Sequence, residues 1–202
     1  MKMTTNIGSL TLVLGPMFSS KSTELIAQLT KYADLGFKCL YINSAYDTRD
    51  EIHFISSHNS SFNGLSQKID ILKVKKLSEI KEYDISQYLF IGIDEAQFYS
   101  DLLEYVIKWI NHLNKNIIVV GLSGDIHKNK FGQIIDLIPY ADSIIHKTAI
   151  CINCLEENKN ILVNAPFTVL KTDAEFNEHT SVNVGDSQKY KAVCRKHATG
   201  KK

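Results

Sequence analysis

Residues 15–23 restrict the fold of this 202-residue chain more than any other stretch: Gly15-Pro16-Met17-Phe18-Ser19-Ser20-Lys21-Ser22-Thr23. Just before them, residues 10–14 make a short apolar run that reads as a buried strand. Just after, Leu25, Ile26, Leu29, Tyr32 and Ala33 recur at helical spacing, and Gly36 supplies a stop. The connecting segment follows the phosphate-loop frame G-x-x-x-x-G-K-[ST], with Ser20 where the second glycine belongs. Backbone N–H groups at a helix N-terminus cradle phosphate oxygens, and the helix dipole favours their charge. Lys21 is placed to reach the terminal phosphates, and the Ser22 hydroxyl to ligate Mg²⁺. Taken alone, the segment also fits an ordinary strand–turn–helix corner with a surface lysine.

The alternation continues downstream. Residues 39–42 and 69–74 read as strands, separated by residues 45–64, a polar loop rich in Ser, Asn, Asp and His. Residues 89–93 form another buried strand, and Leu102, Leu103, Val106, Ile107, Ile110 and Leu113 make the apolar face of a helix that also carries Trp109. Residues 117–120 return to strand, and 131–138 read as a short helix. This order predicts an α/β fold, a mostly parallel sheet with helices on both faces. At 44% hydrophobic residues the chain can bury one core and a small appendage. A net charge of +1 gives no global pull toward nucleic acid or anionic membrane, so Lys73, Lys75 and Lys76 read as a solvated edge. No long apolar span or signal region occurs, which predicts a soluble intracellular protein.

Two further motifs narrow the chemistry. The strand at 89–93 runs into Asp94-Glu95. In phosphate-loop enzymes a strand-terminal Asp holds Mg²⁺, and a neighbouring Glu can serve as general base on a substrate hydroxyl. Near the C-terminus, Cys151-x-x-Cys154 and Cys194-x-x-His197 stand 39 residues apart and use three of the four cysteines. Two such pairs are the usual form of a closed, structural Cys₃His zinc site. Cys39 is left over as a core thiol.

These residues together resemble the type II thymidine kinases, cellular and poxvirus-like. The resemblance is carried by the 15–25 loop, Ile93-Asp94-Glu95-x-Gln97-Phe98, Asp47-Thr48-Arg49, Lys130-Phe131-Gly132, Thr148-Ala149-x-Cys151-x-x-Cys154 and Lys189-Tyr190-x-x-Val193-Cys194-Arg195. It implies a phosphate-loop kinase domain over residues 1–147 and a zinc-binding domain with a substrate lasso over 148–202, assembled as a cytoplasmic homotetramer. It implies ATP-dependent phosphorylation of thymidine, with deoxynucleoside salvage for DNA synthesis as the setting. Glu95 falls on the catalytic base. Gly15, Pro16, Met17, Phe18, Ser19, Ser20, Lys21, Ser22, Asp47, Thr48, Arg49, Asp94 and Gln97 fall on the nucleotide and Mg²⁺ positions. Met17, Phe98, Leu122, Ile126 and Tyr190 fall on the thymine pocket, and Ser181, Val182, Asn183, Val184 and Gly185 on the lasso. Cys151, Cys154, Cys194 and His197 fall on the zinc ligands.

The chain departs from the family pattern in places. Ile126 stands where many members stack a phenylalanine on thymine, and Ile can pack there but not stack. Ser123-Gly124-Asp125 and Asp186 are also unusual. Ser20 adds a Cβ where a glycine would permit left-handed backbone or close phosphate approach. Two alternatives therefore stand beside the kinase reading: another phosphate-loop NTPase, and a kinase-derived nucleotide-binding protein impaired by Ser20. A zinc-ribbon nucleic-acid binder is disfavoured by the charge.

Overall fold

A computed structural model describes residues 7–46, 69–158, 161–171 and 189–199. Its centre is a six-stranded sheet built from β1 (Ser9–Gly15), β2 (Cys39–Ser44), β3 (Ile69–Val74), β4 (Phe90–Ile93), β5 (Asn116–Leu122) and β6 (Ser143–His146). The strand order is β3-β2-β4-β5-β1-β6, and every neighbouring pair is parallel. The predicted α/β class is therefore what the chain adopts.

Period-two alternation sends successive residues to opposite cores. Leu10, Leu12 and Leu14 of β1, with Ile91 and Ile93 of β4 and Ile117 and Val119 of β5, pack on one face. There they meet Leu102, Val106 and Trp109 of helix α3 (Leu102–Asn111), so Trp109 is core. Val13, Tyr41, Phe90, Ile118 and Val120 pack on the other face against Leu25, Ile26, Leu29 and Ala33 of helix α1 (Lys21–Asp34). Fully burying a side chain such as Leu25 or Leu29 contributes about 1.5–3 kcal/mol, so these few residues fix α1 on the sheet. Gly92 permits the approach, because a Cβ there would stand 2.7 Å from Leu25 Cδ1.

The stop of α1 at Gly36 is a Schellman motif: Gly36 has φ 88°, its N–H bonds Ala33 O, and Phe37 N–H bonds Tyr32 O. Elsewhere the predicted boundaries shift. The helix expected over 131–138 is a 3₁₀ helix, Ile134–Tyr140, because Gly132 turns the chain at φ 62° and Pro139 lies inside the segment. Not anticipated are a 3₁₀ turn at Leu77–Glu79, the five-residue helix α2 (Glu82–Ser86) and edge strand β6.

After the sheet come β7 (Ala149–Ile150), helix α4 (Ile152–Glu157), β8 (Asn164–Ala165), β9 (Phe167–Leu170), β10 (Tyr190–Val193) and helix α5 (Arg195–Ala198). β7 pairs with β8 and β9 with β10, both antiparallel, around a small core that includes Cys151, Ala165 and Val193. Among the described residues, no helix is long and apolar enough to cross a membrane.

Candidate active site and metal centre

The corner at residues 15–21 is held by side chains of the loop bonding back to its own main chain. Gly15 has no room for a side chain, since a Cβ would lie 2.5 Å from Lys147 O and 2.9 Å from Ser19 Oγ. The Pro16 carbonyl accepts from Ser19 Oγ at 2.8 Å and Lys21 Nζ at 2.6 Å, folding the loop over itself. Phe18 and Ser20 take left-handed backbone, φ 63° and 57°. The first hydrogen bond of α1 runs from Glu24 N to Ser20 O, so the preceding amides form the N-terminus that the frame predicts for an anion.

Two strands away, β4 runs into Asp94, which is buried and accepts from Tyr41 Oη at 2.7 Å and from the Glu95 N–H at 2.8 Å, with the Ser22 hydroxyl close beside it. Burial, and then the neighbouring Glu95 charge, push the Asp94 carboxyl above its usual range, while these hydrogen bonds pull it back. The contact joins the first residues of α1 to the end of β4, although β5 separates β1 from β4 in the sheet. A serine hydroxyl beside an acidic carboxylate is a hard oxygen pair, the donor type that Mg²⁺ accepts while keeping most of its waters.

Glu95 also has left-handed backbone, φ 49° and ψ 41°, which swings its side chain off the strand line. Its Oε2 accepts from Gln97 Nε2 at 2.6 Å, and Gln97 Oε1 accepts from the Leu122 N–H at 3.0 Å. Glu95, Gln97 and Leu122 are thus brought together. Phe98 is half-buried, its ring edge-to-face with Phe131 at 5.7 Å and tilted against Tyr46 at 6.4 Å. Ile126 lies in a turn where Asp125 Oδ1 accepts from the N–H groups of His127 and Asn129, at 2.9 and 2.8 Å. Asp47, Thr48 and Arg49, and Ser181, Val182, Asn183, Val184 and Gly185 with Asp186, lie outside the described residues.

Met17 reaches the C-terminal part of the chain. Its N–H donates to Thr168 Oγ1 at 2.9 Å, and Thr168 is 7% exposed on β9. Thr168 pairs with Ala192 and Leu170 with Tyr190, so Thr168 and Tyr190 share the face of the ribbon that meets the phosphate loop. Burial pushes the Tyr190 phenol upward. The 122–132 loop makes a second tie, with Lys128 Nζ 5.9 Å from the Phe167 ring centre, while Arg195 of α5 lies 4.9 Å from the same ring.

All four predicted metal ligands converge, with ligand atoms within 4.8 Å of one another. His197 Nδ1 lies 3.4, 3.5 and 3.4 Å from the sulfurs of Cys151, Cys154 and Cys194, and the Cys154 and Cys194 sulfurs are 3.7 Å apart. Zinc bonds of ~2.3 Å to sulfur and ~2.0–2.1 Å to nitrogen imply tetrahedral edges of about 3.5–3.8 Å. These spacings fit. The second imidazole nitrogen, Nε2, sits 2.9 Å from Glu157 Oε1, the carboxylate–histidine arrangement that commonly backs a metal site. Cys39 stands apart, 1% exposed in the sheet core, and burial pushes its thiol up to about 11.

Several residues escaped sequence reasoning. Tyr41 and Thr168 touch the site from 53 and 151 positions away, with no local pattern to mark them. Glu157 could have been seen, because it follows Cys154 by one helical turn. Phe131 lies within a motif already singled out but carried no assigned role.

Comparison with known proteins points to one family. The family model described as "Thymidine kinase" matches residues 8–198. Thymidine kinase of Vaccinia virus (strain Ankara) is 32% identical over 196 residues, covering 96% of this chain and 99% of the relative. Thymidine kinase of Mycoplasmoides gallisepticum is 33% identical over 199 residues, covering 96% and 83%. Thymidine kinase of Monkeypox virus is 33% identical over 192 residues, covering 95% and 97%.

Proposed function

The chain belongs to the thymidine kinase family, and from that premise we propose that it transfers the γ-phosphoryl group of ATP to the 5′-hydroxyl of thymidine, with Glu95 as general base. The observation that carries the chemistry is the meeting of Ser22, at the start of α1, with Asp94, beside Glu95 at the end of β4. It supports a phosphate site and an acidic base within one constellation.

In this reading the loop amides from residue 16 onward and Lys21 bind the phosphates of ATP. Ser22 and Asp94 would hold Mg²⁺, which when bound offsets charge on the β- and γ-phosphates. Arg49, with Asp47 and Thr48, adds contacts to the phosphates. Glu95 accepts the proton of the 5′-hydroxyl as that oxygen bonds to the γ-phosphorus and the bond to the β–γ bridging oxygen breaks, releasing ADP. Met17, Phe98, Leu122, Ile126 and Tyr190 line the thymine, and main-chain groups of 181–185 read its edge.

The division into residues 1–147 and 148–202, the structural zinc in the second unit, the homotetramer and the cytoplasmic setting belong to the same proposal. The test is an initial-rate assay with ATP and thymidine, deoxycytidine or no acceptor. Thymidine-dependent ADP release is expected, and Glu95→Gln should lower kcat roughly 10²-fold or more with ATP binding little changed. ADP release that needs no acceptor would replace the kinase reading with an NTPase. A fully active Glu95→Gln enzyme would move the base elsewhere.

A further inference from the structure

Gln97 has both ends of its carboxamide engaged by the protein, and this points to a role apart from nucleotide binding. We propose that Gln97 is a positioning residue for Glu95, fixing the base carboxylate relative to the end of β5. The proposal rests on the reading of Glu95 as the base.

Gln97 is 4% exposed, and its amide spans two strand ends. Nε2 donates to Glu95 Oε2 at 2.6 Å, and Oε1 accepts from the Leu122 N–H at 3.0 Å. The orientation of that amide is fixed by chemistry. A backbone N–H can only donate, so the atom facing Leu122 must be oxygen, and the nitrogen is thereby aimed at the carboxylate. The bond to Glu95 is charge-assisted, the stronger class of hydrogen bond.

The surroundings leave Gln97 little freedom. A Cβ at Gly121 would lie 2.6 Å from Gln97 Oε1 and 2.8 Å from Ile134 Cδ1, and a Cβ at Gly132 would overlap the Gln97 carbonyl. Gly121 thus leaves room for the Gln97 side chain, and Gly132 for its main chain. A glutamate has three rotatable side-chain bonds, and Glu95 is carried on left-handed backbone. Pinning Oε2 therefore sets the direction in which the carboxylate meets a hydroxyl. A misplacement of about 1 Å can cost roughly 10²-fold in rate.

The experiment is a double-mutant cycle in the full-length protein. Gln97→Leu and Gln97→Glu are each made in the parent and in Glu95→Gln, with kcat, thymidine KM, ATP Kd and Tm measured for all. Gln97→Leu removes both bonds. Gln97→Glu keeps the volume and the acceptor for Leu122 but sets a carboxylate against Glu95, so it decides the matter if the leucine variant does not fold. Either variant should lower kcat roughly 10- to 100-fold, with thymidine KM and ATP Kd changed less than about threefold. In the Glu95→Gln background the same changes should cost less than about threefold, because a residue acting through Glu95 has nothing left to position. An active Glu95→Gln enzyme sinks the base assignment itself. Impaired Glu95→Gln together with fully active Gln97 variants sinks only the present proposal. Losses that multiply in the double variants, or that fall on ATP Kd, overturn it in favour of a direct nucleotide contact or a purely structural role.

Discussion

Replacing Ser20 by glycine should improve this protein. Ser20 sits at φ 57° and ψ 37°, ahead of α1, as a helix N-cap whose side chain makes no capping hydrogen bond. An L-residue in that region costs about 1–2 kcal/mol, a penalty glycine escapes. Glycine gives back about 0.5–1 kcal/mol through the larger freedom of its unfolded chain. At the midpoints of these ranges the net gain is about 0.75 kcal/mol, which at roughly 2–4 °C per kcal/mol for a chain of this length raises Tm by about 1.5–3 °C. Any share of the strain that nucleotide imposes on a relaxed loop appears as affinity, at about 1.4 kcal/mol per tenfold. Thermal unfolding and ATP titration of Ser20→Gly and Ser20→Ala measure both. Alanine keeps the Cβ and the strain while losing the hydroxyl, so it should gain nothing. A Ser20→Ala protein that gains as much as Ser20→Gly refutes the backbone argument, and so does a Ser20→Gly protein with neither higher Tm nor tighter binding. Weaker ATP binding by Ser20→Gly would reveal a working contact from the hydroxyl.

The metal centre should hold one zinc per chain by elemental analysis of freshly purified protein, and chelation should increase amide exchange around Cys151 and Cys194 before it does so in the six-stranded sheet. Within that centre, Glu157→Ala should weaken zinc affinity about 10- to 100-fold, read by competition with a chelating dye, and Glu157→Gln should weaken it less because an acceptor for His197 Nε2 survives. Thr168→Val keeps the shape of the side chain but strands the partly buried Met17 N–H, a loss of about 1–3 kcal/mol. ATP Kd should rise about fivefold or more as the loop loosens, and an unchanged Kd would show that β9 does not brace the phosphate loop.

Local signals account for what sequence made visible. Residues 10–14 and 89–93 announce strands because both faces of a central parallel sheet are buried, leaving unbroken apolar runs. β6 escaped because an edge strand is exposed enough to carry Ser143 and His146. The 3₁₀ helix at Ile134–Tyr140 was displaced by Gly132, whose left-handed turn resets the chain before the apolar periodicity begins. At the site, Lys21, Ser22, Asp94 and Glu95 stand out because each sits where a strand hands over to a turn or helix. The cysteine pairs stand out by spacing alone. Tyr41 on Asp94, Thr168 on Met17 and Gln97 on Leu122 depend on which strands become neighbours, and no local pattern encodes that.

The left-handed backbone at Phe18, Ser20 and Glu95 bears on how such a chain ages in evolution. All three residues belong to the candidate reaction site, and each holds a conformation that glycine would adopt at lower energy. Fold and chemistry therefore pull in opposite directions at these positions. A lineage released from the need to phosphorylate would find stabilising substitutions there first, with position 95 giving up its carboxylate for a backbone at rest. On the reading of Glu95 as the base, a glutamate at φ 49° is the residue that stability alone would discard and chemistry would keep.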